Sequence, residues 1–101
     1  MDKWADYGIS KVQYNQQRNR IMKVEVREDN GDSFGSAMGW PRSQVVSAIE
    51  SGKTFVTILK SSDGKWKKGQ AVHVVIVNGV KYIRTDQNRK ESDNLENLPE
   101  F

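Results

Sequence analysis

The stretch AVHVVIVNGVKYIRT, residues 71–85, decides the fold because it carries the strongest hairpin signal in the chain. Asn78-Gly79 is a preferred pair for a two-residue type I′ turn between two strands. A loop of this length fixes the register, so that Val77 opposes Val80 and His73 opposes Arg84. Both faces of the hairpin are largely apolar, which predicts that it lies centrally in a curled sheet.

Working outward, apolar and β-branched residues predict further strands at 7–14, 21–28 and 54–59. The first of these does not keep a two-residue period, which indicates a bulge or a frayed edge. The second alternates apolar with charged residues, which predicts that one of its faces is exposed to solvent. The glycine-containing stretches 29–39 and 61–69 are predicted as a long loop and a hairpin loop.

One helix is predicted between the second and third strands. Pro41 suits the first helical position. Gly52 is expected to end the helix, because glycine readily adopts left-handed backbone angles. The order β-β-α-β-β-β predicts an α+β domain of about five strands, whose antiparallel sheet is strongly coiled. The pattern leaves open whether the sheet closes as a small barrel with the helix as its plug. Residues 1–86 form this single domain, and 87–101 form an acidic tail.

The tail differs in charge from the domain. Residues 1–85 carry 14 basic and 8 acidic side chains, whereas 86–101 carry 2 basic and 5 acidic. Leu95, Leu98 and Phe101 recur every three residues, which suits a segment docked on the basic domain.

Composition excludes several classes of protein. The 101 residues include no cysteine and one histidine, which removes disulfide frameworks, thiolate zinc sites and cysteine nucleophiles. His73 has only valines beside it on its strand, with no carboxylate to orient it, so we expect neither an enzyme nor a cofactor or metal. No apolar run reaches membrane-spanning length, and no signal core is present, so a soluble cytoplasmic protein is expected.

A basic and aromatic group surrounds the turn after the third predicted strand: Lys60, Lys65, Trp66, Lys67 and Lys68. Cations neutralise phosphates and an exposed indole stacks on an unpaired base, so this group indicates nucleic-acid binding. Lys81 and Arg84 extend it, and Lys11, Arg18, Arg20 and Lys23 form a second group. The alternative is that Trp66 caps the core and the lysines guard an edge strand.

Phe34 and Trp40 lie in the glycine-containing loop, where aromatic side chains either anchor a protein interface or cover the open end of a sheet. Because charge is mixed and no pattern reads bases specifically, we predict a non-enzymatic binding domain acting through protein–protein contacts. Regulation or inhibition of a larger complex falls within this prediction. Nucleic acid is the alternative ligand. We expect no membrane association and a monomer or weak homodimer.

Several short motifs occur in one order along the chain: Trp4-Ala5-Asp6-Tyr7, Val45-Val46-Ser47-Ala48-Ile49 with Gly52, Trp66 before Gly69, Tyr82-Ile83-Arg84-Thr85-Asp86, and Asp93-Asn94-Leu95 with Leu98-Pro99. In these motifs the chain resembles the small bacterial family known as domain of unknown function 3892. The resemblance covers nearly the whole chain. It implies a small stand-alone bacterial or phage-borne domain and supplies no activity, substrate or catalytic residue.

Overall fold

The computed structural model describes residues 3–17, 20–31, 33–85, 95 and 98–100. In this part of the chain the elements are β1 (Tyr7–Tyr14), β2 (Ile21–Glu28), β3 (Met38–Pro41), α1 (Arg42–Glu50), β4 (Phe55–Lys60), β5 (Trp66–Ala71), β6 (His73–Val77) and β7 (Val80–Arg84). The domain is therefore mostly sheet with one helix.

Two sheets are present among these residues. Five strands pair in the order β3-β2-β1-β4-β5, while β6 and β7 form a separate two-stranded sheet. The larger sheet is mixed, because β1 and β4 pair in parallel whereas its other strand pairs are antiparallel. The prediction of an antiparallel sheet is therefore wrong for the pairing of β1 with β4. The larger sheet is also open, with β3 and β5 as its edges in the part of the chain described.

The sequence prediction missed both edge strands. β3 lies at the end of the predicted loop 29–39 and runs on into Pro41, and its residues are mostly exposed. β5 begins in the predicted hairpin loop and contains two lysines and a glycine. Lysine, glycine and proline have low strand propensity but are common on edges, where they discourage pairing with other chains. Alternation therefore gave no signal for either strand.

The predicted bulge in the first strand is confirmed. Ile9 pairs with Val26 and Lys11 with Glu25, which leaves Ser10 as an extra residue in β1. A second irregularity falls between Gln13 and Tyr14, where β1 pairs next with Ile21. As a result Met22 is exposed and Ile21 is buried, the reverse of what strict alternation predicts for β2.

The helix ends as predicted and begins one residue late. Pro41 is the N-cap in extended conformation, with helical residues from Arg42 onward. Gly52 follows the C-cap with a φ of 101°. The Gly52 N–H donates to the Ile49 carbonyl, and the Lys53 N–H donates to the Ala48 carbonyl. This pair of bonds is a Schellman motif, which needs a residue that adopts left-handed backbone angles without strain.

The main core lies between α1 and one face of the larger sheet. Its fully buried side chains include Ile9, Val24, Val45 and Phe55. Two tail residues, Leu95 and Leu98, belong to the same cluster, and the Val12 N–H donates to the Pro99 carbonyl at 3.0 Å. Leu95 and Leu98 therefore contribute to the core, whereas residues 87–94, 96, 97 and Phe101 of the tail lie outside the described residues.

The β6–β7 hairpin has the predicted register and turn. Val77 opposes Val80 and His73 opposes Arg84, with Asn78 and Gly79 at φ angles of 51° and 79°. The prediction that the hairpin lies centrally in the sheet is wrong, because β6 and β7 form a separate two-stranded sheet. Val72 follows β5 directly; its N–H donates to the Phe55 carbonyl of β4, and its side chain belongs to the main core. The following strands therefore pair only with each other.

Candidate functional site

The larger sheet has a second face, opposite the helix, which we call the outer face. Because Val24 and Val26 are buried in the main core, the intervening Glu25 and the following Arg27 point the other way. Arg27 lies across the ladder from Gly8, where a Cβ would meet Ile58 and Phe34 within 3 Å. A glycine at this position makes room for aromatic packing on the outer face.

Aromatic side chains and two cations pack together there. The ring centroids of Phe34 and Trp66 are 6.0 Å apart in an edge-on arrangement. The Arg27 guanidinium carbon lies 5.1 Å from the Trp66 ring centroid, and the Lys60 Nζ lies 5.6 Å from it. Positive charge so close to an indole is stabilised by the negative electrostatic potential of the ring face.

A crevice of about 300 Å³ opens beside this cluster. The paired register of β1 and β4 ends at Ile9 and Thr57, and further along β1 the neighbouring chain is the tail, through Val12 and Glu100. The end of β4 and the middle of β1 thus form opposite walls. The lining residues are Ser10, Lys11, Glu25, Arg27, Leu59, Lys60, Trp66 and Pro99.

The charges in the crevice are mixed, with more positive than negative. Glu25 accepts a hydrogen bond from the Arg27 Nη2 at 3.0 Å and lies 3.8 Å from the Lys11 Nζ. Arg27 also donates from Nη1 to the Gly35 carbonyl at 3.1 Å. The lining therefore contains three cationic side chains, Lys11, Arg27 and Lys60, against one carboxylate. This balance favours an anionic ligand.

Two polar atoms in the crevice walls lack a hydrogen-bond partner within the described residues. They are the Ser10 Oγ and the Arg27 Nε, and both are buried. Ser10 is only 4% exposed, and it lies at the bulge, between Ile9, which pairs with Val26, and Lys11, which pairs with Glu25. Buried polar groups are nearly always paired in folded proteins, so each such atom calls for a physical explanation.

The structure separates the predicted basic residues into different places. Lys60 and Trp66 line the crevice, and Lys65, Lys67 and Lys68 are exposed on the β4–β5 hairpin beside it. At the turn of this hairpin, hydrogen bonds from the Ser61 hydroxyl and the Lys65 N–H lower the pKa of Asp63. The ionised carboxylate thereby orders the loop that carries Lys65.

Lys81 and Arg84 lie apart from this group. The Lys81 Nζ pairs with Glu50 of the helix at 2.6 Å, at a second cavity of about 490 Å³ between α1 and the hairpin turn. Arg84 is 2% exposed and is among the largest fully buried side chains described. The exposed basic surface therefore does not include Arg84.

Phe34 and Trp40 are half-buried and packed on other aromatic rings. Phe34 lies between Trp4 and Trp66, at centroid distances of 5.6 and 6.0 Å. Trp40 packs on Tyr7 and Phe55 on the core side of the sheet, at 5.0 and 5.9 Å. Both side chains cover parts of the sheet, which was the alternative to a role as free interface anchors.

The sequence analysis missed most of the crevice. Five lining residues were not predicted as site residues: Ser10, Glu25, Arg27, Leu59 and Pro99. The predicted bulge was a signal for Ser10, and the solvent-exposed face of β2 was a signal for Glu25 and Arg27. Of the second basic group, Lys11 lines the crevice and Arg20 lines the other cavity. Lys23 is exposed on β2, and Arg18 lies outside the described residues.

The described residues contain neither a candidate metal site nor a membrane-spanning helix. They hold no group of three or more His, Cys, Asp or Glu side chains that could bind a metal ion. The helix in those residues, α1, is not long and apolar enough to cross a membrane.

Comparison with known proteins identifies a family. The model described as "Protein of unknown function (DUF3892)" matches residues 8–99, nearly the whole chain, so the chain belongs to this family. No match was found among curated proteins or among solved structures.

Proposed function

We propose that this protein is a non-catalytic binding domain that recognises an acidic segment of a protein partner in the crevice on its outer face. The observation that carries the proposal is a crevice of about 300 Å³ that is lined by Lys11 and by Arg27 and Lys60, the two cations packed on Trp66. Regulation of a larger complex would follow from masking such an acidic segment.

The apolar lining supports a protein ligand. Leu59 is 42% exposed and lies in the crevice wall together with Pro99. A peptide that alternates acidic and apolar side chains could place its carboxylates near the cations and an apolar side chain on Leu59. Apolar contact at the centre with charges around it is the usual anatomy of protein interfaces.

Nucleic acid is the second candidate, favoured by the row of exposed lysines Lys65, Lys67 and Lys68 on the hairpin. Two features count against it as the main ligand. Trp66 is engaged with Phe34, Arg27 and Lys60, which limits its ring as a platform for base stacking. Glu25 in the crevice repels any anion, and it disfavours a phosphate backbone more than a single carboxylate, because the backbone carries a negative charge at every nucleotide.

The test uses fluorescence anisotropy with the full chain and labelled probes. The probes are a short peptide alternating Glu with Leu, its Gln-for-Glu counterpart, single-stranded DNA and duplex DNA, at about 50 and about 200 mM salt. We expect binding of the acidic peptide, weakened at least about fivefold by Lys60→Glu. Lys53→Glu is the matched control, since it reverses an exposed charge just before the other end of β4.

Each other result has a defined meaning. Equal effects of Lys60→Glu and Lys53→Glu, or no binding of the acidic peptide by the wild-type protein, would refute the proposal. Preferential binding of DNA, lost with salt and with alanine at Lys65, Lys67 and Lys68, would establish the nucleic-acid alternative.

A further inference from the structure

The two unpartnered polar atoms of the crevice share one chemical property. The Arg27 Nε carries an N–H and can only donate, and the Ser10 hydroxyl is able to donate. The other guanidinium nitrogens of Arg27 already donate to Glu25 and to the Gly35 carbonyl. The crevice therefore retains two buried donors that call for oxygen acceptors.

The β1 bulge explains how these donors come together on the outer face. An extra residue at Ser10 puts two residues of β1, Ser10 and Lys11, against the single residue Glu25 of β2. All three line the crevice, together with Arg27 from the next outward position of β2. A regular strand would have sent Ser10 and Lys11 to opposite faces.

We infer that the crevice is a carboxylate pocket, in which an acidic side chain of the partner accepts hydrogen bonds from the Ser10 hydroxyl and the Arg27 Nε. This inference rests on the proposed function and names the group that is recognised. A carboxylate has two acceptor oxygens and one negative charge, which suits two donors and the excess of two cations over Glu25. A phosphate monoester would bring more charge and a third oxygen near the Glu25 carboxylate.

Because the Ser10 Oγ and the Arg27 Nε are both buried, a carboxylate reaches them only when a lining side chain moves, and we assign this movement to Lys11. The Lys11 side chain is 47% exposed and its pairing with Glu25 is long, at 3.8 Å. A long pair of this kind is weak, so Lys11 can turn from Glu25 toward an incoming carboxylate at little cost. The stronger Arg27–Glu25 pair, at 3.0 Å, stays in place.

The deciding variant is Ser10→Ala in the full chain, with Ser36→Ala on the exposed loop as the matched control. Removing a buried hydroxyl that has no protein partner should leave the melting temperature unchanged or raise it. The same change should weaken binding of the Glu-Leu peptide about tenfold, because a hydrogen bond to a charged group is lost. Ser36→Ala should alter neither quantity.

Peptide variants identify the source of the carboxylate. The Gln-for-Glu peptide should bind much more weakly than the acidic peptide, and amidating the acidic peptide's C-terminus should have no effect. Loss of binding on amidation would instead assign the pocket to a chain terminus and overturn the side-chain assignment.

The inference and the proposed function fail in different ways. If Ser10→Ala lowers the melting temperature and leaves peptide affinity unchanged, the hydroxyl holds a structural water and the carboxylate pocket is refuted. In that case the weakening by Lys60→Glu would still support the outer face as the binding surface. If the wild-type protein binds no acidic peptide at all, both proposals fail.

Discussion

Truncation of Leu95 to alanine tests whether the tail is part of the folded domain. Leu95 is fully buried in the main core, and its N–H donates to the Tyr14 hydroxyl at 3.3 Å. Replacing a fully buried leucine with alanine costs about 2–5 kcal/mol, from lost transfer free energy and the cavity left behind. We expect a loss of about 3 kcal/mol in the free energy of unfolding, a large share of the stability of a domain this small.

The assay is thermal and urea unfolding followed by circular dichroism. A loss of 1 kcal/mol lowers the melting temperature of a domain of this size by about 4–8 °C, so Leu95→Ala should lower it by roughly 12–24 °C. Leu59→Ala is the matched control, because the same atoms are removed from a side chain that is 42% exposed. Its cost should stay below about 1 kcal/mol.

One result would refute this reasoning. If Leu95→Ala melts within about 3 °C of the wild-type protein, Leu95 does not contribute to the core in solution. Equal losses from Leu95→Ala and Leu59→Ala would also show that burial does not decide the effect.

Two further predictions concern packing and pH. Gly8→Ala should destabilise the domain by about 1–3 kcal/mol in urea unfolding, since its Cβ would lie 2.7 Å from the Ile58 Cδ1, whereas Gly35→Ala, with no neighbour nearer than 3.7 Å, should cost less. The Thr54 backbone N–H, which donates to Asp6 at 2.9 Å, lowers the pKa of that carboxyl. Asp6 therefore stabilises the fold above its unfolded-state pKa and loses that contribution as pH falls through its folded-state pKa. Asp6→Asn should reduce the loss of stability between about pH 6 and about pH 3, and identical pH profiles would contradict this.

The parts of the fold that could be predicted have local causes. The Asn78-Gly79 turn fixed the register of the β6–β7 hairpin, because only two residues connect the strands. The end of the helix followed from Gly52 for a similar local reason. The bulge near Ser10 was also visible, as a break in alternation along one strand.

Other parts depend on contacts between distant segments and could not be predicted. β3 and β5 are strands because β2 and β4 offer free edges, while their own residues have low strand propensity. The parallel pairing of β1 with β4 joins residues 7–9 to residues 55–57, and no local pattern encodes that pairing. The sequence pattern therefore does not determine the strand order of the sheet.

The candidate site was predictable only in its exposed basic residues. Lys60 and Trp66 belong to the basic and aromatic group around one predicted turn, which can be recognised without knowledge of the fold. Ser10, Glu25 and Arg27 become a site only when the bulge and the register place them on one face of the sheet. An unpaired donor is a property of the folded chain and has no counterpart in composition.

The central position of β1 has a consequence for how the chain is made. This early strand pairs with β2 and β4 and, through Val12, with residues 99 and 100. During synthesis the strand leaves the ribosome long before its last neighbour exists. The core cluster that contains its apolar residues Ile9 and Val12 is not complete until Leu95 and Leu98 have been added. Chains cut short before Leu98 lack part of the core and are expected to be ready substrates for cellular proteases.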